Sequence, residues 1–106
     1  MLNFFRKDHK KTINVNEIDP LIGKIELIDI REPYEYKGGS IKTAKNIPMG
    51  EPLSNTEKYF KKDKEYYIMC QSGGRSSSTC NKLKEQGYDV INVKGGMRSY
   101  SGKNRK

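Results

Sequence analysis

The sequence predicts an α/β domain: a small, mostly parallel sheet of about five strands with helices on both faces. Two observations carry this. Short runs rich in Ile, Val and Tyr alternate with stretches that have helix starts and stops, the order expected of strand–helix–strand units. One such unit, Tyr66 to Gln86, joins an apolar run to a helix through the tight loop Gln71-Ser72-Gly73-Gly74. That join lies at the carboxyl end of a strand, where ligands gather in parallel sheets.

The elements follow in order. Thr12 to Val15 is a short β-like run, and Asn16 ahead of Glu17-Ile18-Asp19 is placed to cap a brief helix that gives out around Gly23. Ile25 to Ile30 reads as a buried strand, because Leu27, Ile28 and Ile30 are too apolar for a surface loop. Pro33 suits the first position of a short helix through Tyr36, ended by Gly38-Gly39. Ile41 to Ile47 is a further small strand, stopped by Pro48. Ser54-Asn55-Thr56-Glu57 has the Ser-x-x-Glu spacing of a capping box and opens a helix reaching about Lys62. Tyr66 to Met69 is the next apolar strand, and it delivers Cys70 at its carboxyl end. A helix from Ser76 to Gln86 stops at Gly87, and Asp89 to Val93 is the last strand before Gly95-Gly96.

With 106 residues, positions 1–106 make one domain, and with only 33% hydrophobic residues its core is modest. The net charge of +8 collects partly in short basic tails, 1–11 (Arg6, Lys7, Lys10, Lys11) and 101–106 (Lys103, Arg105, Lys106). These are expected to be solvated and to draw in small anions. No face interleaves aromatic and basic residues, so no nucleic-acid partner is expected. The apolar start, Leu2, Phe4 and Phe5 around Asn3, is too short for a signal-peptide core, and no later stretch approaches a membrane span. The expectation is a cytoplasmic, monomeric domain with no membrane partner, whose thiols stay reduced.

Cys70 and Cys80, the only cysteines, bracket the run Gln71 to Thr79. A disulfide, half of a metal site, a phosphate cradle and a reactive thiol in a loop of amides all compete to explain them. A strand ending at Cys70, a glycine loop and a helix starting near Arg75 set the sulfur over the positive end of a helix, ringed by N–H groups. Gly73 and Gly74 let the backbone curl inward. A free thiol of pKa about 8.5 is only about 3% ionised at neutral pH, so this setting turns Cys70 into a nucleophile, with Arg75 adding a fixed positive charge. The plainer reading makes Cys70 a buried strand-end residue, but that needs neither the glycines nor the arginine. Cys80 shares a helix face with Ser76 and Leu83 and points into the core. A disulfide would have to reach from a strand end to mid-helix, and the cysteines with the lone His9 are too few to hold a metal. A resolving thiol at Cys80 stays open. No cofactor is expected.

At these residues the chain resembles the single-domain rhodaneses, a family of sulfurtransferases. Asp29-Ile30-Arg31 with Glu35-Tyr36 is similar to the family's Asp-x-Arg…Glu-Tyr segment, and Gly39 to Pro48 to its Gly-His-Ile-x-Gly-Ala-x-Asn-Ile-Pro stretch. Cys70-Gln71-Ser72-Gly73-Gly74-Arg75-Ser76 resembles the active loop of small bacterial thiosulfate sulfurtransferases, and Gly95-Gly96 the closing glycine pair. Ser40 stands in place of the usual His, Thr43 of the usual Gly, and Tyr100 where a Trp is common.

The resemblance implies a rhodanese-like fold and a two-step transfer. Cys70 takes sulfane sulfur from a small anionic donor such as thiosulfate, becomes a persulfide, and yields the sulfur to cyanide or a thiol acceptor, which includes a thioredoxin-like or sulfur-relay protein. Gln71, Ser72, Gly73, Gly74 and Ser76 supply the amides that hold the persulfide, and Arg75 assists the donor. Asp29, Arg31 and Glu35 are structural supports, an ion-paired brace for the loop. Two rivals remain. A rhodanese-like carrier or binding module would receive persulfide from a partner protein. A cysteine phosphatase would use a similar cradle, but phosphatase loops carry five residues between Cys and Arg, whereas only Gln71, Ser72, Gly73 and Gly74 intervene here.

Overall fold

The computed structural model describes residues 12–48 and 55–106. The predicted basic tail at 1–11 and the proposed cap Ser54 lie outside these residues. Five strands, β1 (Thr12–Asn14), β2 (Glu26–Asp29), β3 (Lys45–Asn46), β4 (Glu65–Met69) and β5 (Asp89–Lys94), form one sheet in the order β1-β5-β4-β2-β3. Every pair is parallel. Among the described residues four α-helices accompany them: α1 (Pro33–Lys37), α2 (Thr56–Tyr59), α3 (Gly74–Glu85) and α4 (Gly96–Ser99).

Strand alternation divides the core between the two faces. Ile28, Tyr66, Ile68 and Val90 pack with Phe60, Cys80 and Leu83 under α2 and α3. Leu27, Met69 and Val93 pack with Val15, Ile18, Met97 and Tyr100 on the other side, beneath α4 and the turns after β1. Helices therefore cover both faces, as the sequence predicts. Both faces meet at β4, the central strand, and its end at Met69 projects Cys70 from the middle of the sheet.

Four elements differ from expectation, each for a local reason. The brief helix after β1 is two 3-10 turns, Val15–Glu17 and Asp19–Leu21, and its cap is Asn14, whose side chain accepts from the Asn16 amide at 2.9 Å. Asn16 is used elsewhere: its side chain donates to the Ser99 carbonyl and accepts from the Ser101 amide. Helix α2 stops at Tyr59, because Phe60 turns extended to bury its ring against Tyr66, and the Lys61 amide is taken by the Tyr66 hydroxyl. The strand expected over Ile41 to Ile47 shrinks to Lys45–Asn46, interrupted by a turn in which Thr43 has φ 74°. Helix α3 begins at Gly74, two residues ahead of Ser76.

Residues 101–106 keep Lys103, Arg105 and Lys106 exposed, but their backbone is tied to the rest of the domain. Ser40 and Lys106 exchange backbone hydrogen bonds, Lys42 donates its amide to the Asn104 carbonyl, and Lys103 donates its amide to Asp19. Tyr100, the residue in the usual Trp position, anchors this segment: its hydroxyl donates to Asp19 Oδ1 at 2.6 Å and accepts from the Asn104 amide at 2.7 Å.

Thr43 carries a testable consequence. A left-handed β-branched residue costs about 1–2 kcal/mol, partly offset by the extra freedom glycine has when unfolded. Thr43→Gly is expected to stabilise the domain by about 1 kcal/mol, raising Tm by roughly 4–8 °C. An unchanged or lowered Tm would show that Thr43 makes compensating contacts.

Candidate active site

Cys70 follows β4 directly and is fully buried. Gly73 takes φ 104°, open to glycine at little cost, and so turns its N–H back to Cys70 Sγ at 3.1 Å. The Ser76 amide, in the first turn of α3, points at the same sulfur from 3.2 Å, and Ser76 Oγ lies 3.3 Å from it. Burial pushes the Cys70 thiol up. The Ser76 hydroxyl, then the amides of Ser76, Gly73 and Ser72, outweigh that and hold the thiol below its ordinary value. The amide-ringed thiol at the start of a helix is thus observed, and the loop above it leaves Ser72 and Gly74 exposed.

The closing glycine pair holds the loop from beneath. Met97 and Arg98, at the start of α4, donate amides to the Cys70 and Gln71 carbonyls at 3.0 and 2.8 Å, leaving the loop's own amides to face sulfur. A Cβ on Gly96 would lie 2.6 Å from the Gln71 oxygen and 2.7 Å from its carbonyl carbon, a distance no side chain tolerates. By contrast, a Cβ on Gly74 meets nothing within 4 Å. Of the two loop glycines, only Gly73 is required by geometry.

The charged residues brace this loop. Arg31 grips Asp29 with Nε and Nη2 at 2.8 to 3.2 Å, donates Nη2 to the Gly39 carbonyl, and reaches Gln71 Oε1 with Nη1 at 3.1 Å. Asp29 also accepts from the Ser40 hydroxyl at 2.8 Å, so the residue that replaces the usual His has a buried partner. Arg75 is held by Glu35. Its guanidinium makes two parallel bonds to Glu35, at 3.2 and 3.1 Å, and the arginine holds the Glu35 carboxyl below the usual range against the opposing effect of burial. Glu35 in turn accepts the Glu32 amide at the start of α1, where Pro33 occupies the first helical position. The charged residues thus form two pairs, Asp29–Arg31, which reaches Gln71, and Glu35–Arg75, which joins α1 to α3.

Cys80 is buried among Leu83, Tyr88 and Val90, and desolvation pushes its thiol up to about 12. Both cysteines are free. Sequence reasoning passed over Asn92, which contacts Ser76 Oγ at 2.5 Å. Its signal was a lone amide inside the apolar strand Asp89-Val90-Ile91-Asn92-Val93.

A parallel sheet that ends its central strand in a cysteine, cradled by amides at the start of the next helix, defines an α/β domain built around a single thiol. Within that class the chain belongs to the rhodanese-like domain family, whose model matches residues 7–103. It is 42% identical over 82 residues to "Putative sulfurtransferase YtwF" of Bacillus subtilis, covering 77% of this chain and 79% of that one. A sulfurtransferase of Allochromatium vinosum is 39% identical over 77 residues, covering 71% and 70%. A rhodanese-like domain protein of Staphylococcus aureus superposes with a TM-score of 0.80 at 30% identity, over 91% of this chain and 96% of that one.

Proposed function

We propose that the protein is a sulfurtransferase that moves sulfane sulfur from thiosulfate, or a donor of like charge, through a Cys70 persulfide. The observation that carries this is the pair of amides, Gly73 and Ser76, aimed at one buried sulfur. The Cys70 thiolate attacks the outer sulfur of the donor, the donor's S–S bond breaks, and sulfite leaves with the bonding pair. The terminal sulfur of the persulfide is anionic, and inward amides stabilise it without reorganising, as an oxyanion hole does. Cyanide then attacks that sulfur, thiocyanate departs, and the Cys70 thiolate is restored. A thiol acceptor, small or on a thioredoxin-like or sulfur-relay protein, takes the sulfur in the same way.

Arg75 and Glu35 set the loop's position, and Arg75 adds positive charge near the path of the incoming anion. The four residues between Cys70 and Arg75 close a ring sized for a sulfur atom, which favours this chemistry over phosphate transfer. Reduced thiols at Cys70 and Cys80 suit a cytoplasmic setting.

The experiment is a mass spectrum after incubation with thiosulfate, alongside assays of thiocyanate and of p-nitrophenyl phosphate turnover. One added sulfur on the peptide holding Cys70, with thiocyanate formed and little phosphate released, is expected. Vigorous phosphate release without thiocyanate would overturn the proposal. Loading only from a partner protein's persulfide would make the chain a carrier.

A further inference from the structure

The Ser76 hydroxyl has one proton and three neighbours able to take it. Its oxygen is 2.5 Å from Asn92 Oδ1, 3.2 Å from the Gly73 carbonyl oxygen and 3.3 Å from Cys70 Sγ. While Cys70 is a thiol the groups form a satisfied chain: S–H donates to Ser76 Oγ, and the Ser76 hydroxyl donates to Asn92. Loss of the thiol proton to water reverses the demand. The thiolate only accepts, so it competes with Asn92 Oδ1 for the same hydroxyl proton, and the loser is left with lone pairs facing a buried oxygen. An amide resolves this by turning over. With its NH2 toward Ser76, Asn92 donates to Oγ, and the hydroxyl proton is free for sulfur.

The surroundings of Asn92 permit that turn. It lies on β5 between Val90 and Lys94, on the face that α3 covers, and is only 7% exposed. An amide there is costly unless bonded. Its other end makes no hydrogen bond among the described residues. Asn92 also lines a shallow surface cavity of about 380 Å³, with Thr12, Ser72, Ser77 and Lys94, where water can serve either end of the amide.

We infer that Asn92 is a positioning residue for the Cys70 sulfur, acting through the Ser76 hydroxyl: its amide presents oxygen to Ser76 when Cys70 is a thiol, and NH2 when the sulfur is anionic. The inference rests on Cys70 as the nucleophile of the proposed reaction and extends to the persulfide, whose outer sulfur has the same need. The charged and titratable groups nearest the site are Arg75 and Cys80 on α3, the Asp29–Arg31 pair that reaches Gln71, Glu35 on α1 and the exposed Lys94, which lines the same cavity as Asn92. All are kept in the variants below, so a change in ionisation tracks the amide.

The test uses the full chain and reads ionisation, not sulfur transfer, so its failure and that of the proposed reaction are separable. The side-chain NH2 signals of Asn92 are followed by NMR through the pH range in which iodoacetamide alkylation of Cys70 titrates. They are expected to move with the same midpoint in the wild type and to stay still in Ser76→Ala. Asn92→Leu is expected to raise the alkylation midpoint by about half a unit, roughly a threefold slower reaction at neutral pH, and to add nothing in the Ser76→Ala background. Flat Asn92 signals across the Cys70 titration would overturn the inference. So would an Asn92→Leu shift of equal size with and without the Ser76 hydroxyl. The wild-type NMR arm stands even where Asn92→Leu fails to fold.

Discussion

Cys70→Ser is expected to lose sulfur transfer by more than about a thousandfold, whereas Cys80→Ser keeps it and loses about 1–2 kcal/mol of stability. The two residues differ only in where the fold puts them. Both are buried, so exposure does not separate them; the hydrogen bonds do. Cys70 receives amides from Gly73 and Ser76, while Cys80 sits among Leu83, Tyr88 and Val90. A serine hydroxyl at 70 cannot ionise in the range where the thiol does, so the amides would have no anion to hold. At 80, a hydroxyl enters an apolar site and the cradle is untouched.

The same contrast appears without mutation. Because only a thiolate is alkylated, and burial pushes Cys80 up to about 12, iodoacetamide at neutral pH should mark Cys70 and leave Cys80 unmodified. Raising the pH should speed the reaction of Cys70 along a titration whose midpoint lies below that of an ordinary thiol, since its folded value is depressed. Equal labelling of both cysteines, or a Cys80→Ser protein that loads sulfur but cannot discharge it, would instead make residue 80 a resolving thiol.

How legible the site was depends on the distance over which each residue acts. The cradle is local: a strand ending at Met69, a left-handed Gly73 and a helix start lie within a few positions, and each has its own signature in the chain. Arg75 was legible as a charge but not in its direction, because its partner Glu35 stands 40 residues away on another helix. Ser40 and Asn92 gave weaker signs still. A serine in a glycine-rich turn and an amide in an apolar strand become meaningful only when folding brings Asp29 to one and Ser76 to the other. The run Ile41 to Ile47 was misread for the opposite reason. Its apolar spacing suits a strand, but Ile41 pairs with Arg105 at the far end of the chain, and Thr43 turns the backbone away before β3 begins. The segment 101–106 was half legible: its basic side chains are exposed as their charge suggests, while its backbone groups are bonded to Ser40 and Lys42, far away in sequence.

Arg31→Leu is expected to cost about 3–5 kcal/mol, enough to bring a domain of this size near its unfolding threshold at ambient temperature. Asp29 is fully buried, and with Arg31 gone its carboxylate keeps, among the described residues, the Ser40 hydroxyl and the residue-31 amide. The cost is that of an unpaired buried charge, not of a lost contact. That distinction can be measured. In the double variant Asp29→Asn, Arg31→Leu no charge remains, and the amide oxygen can still accept from Ser40 and from the backbone, so the double variant should be more stable than Arg31→Leu alone. Arg31→Lys should recover only part of the loss, because one ammonium cannot bond Asp29 along two edges while also reaching Gly39 and Gln71. Urea unfolding of the three variants orders them directly. A double variant less stable than the single one would mean that Arg31 stabilises the fold mainly through Gly39 and Gln71. Its effect on activity would then come through the loop those residues frame.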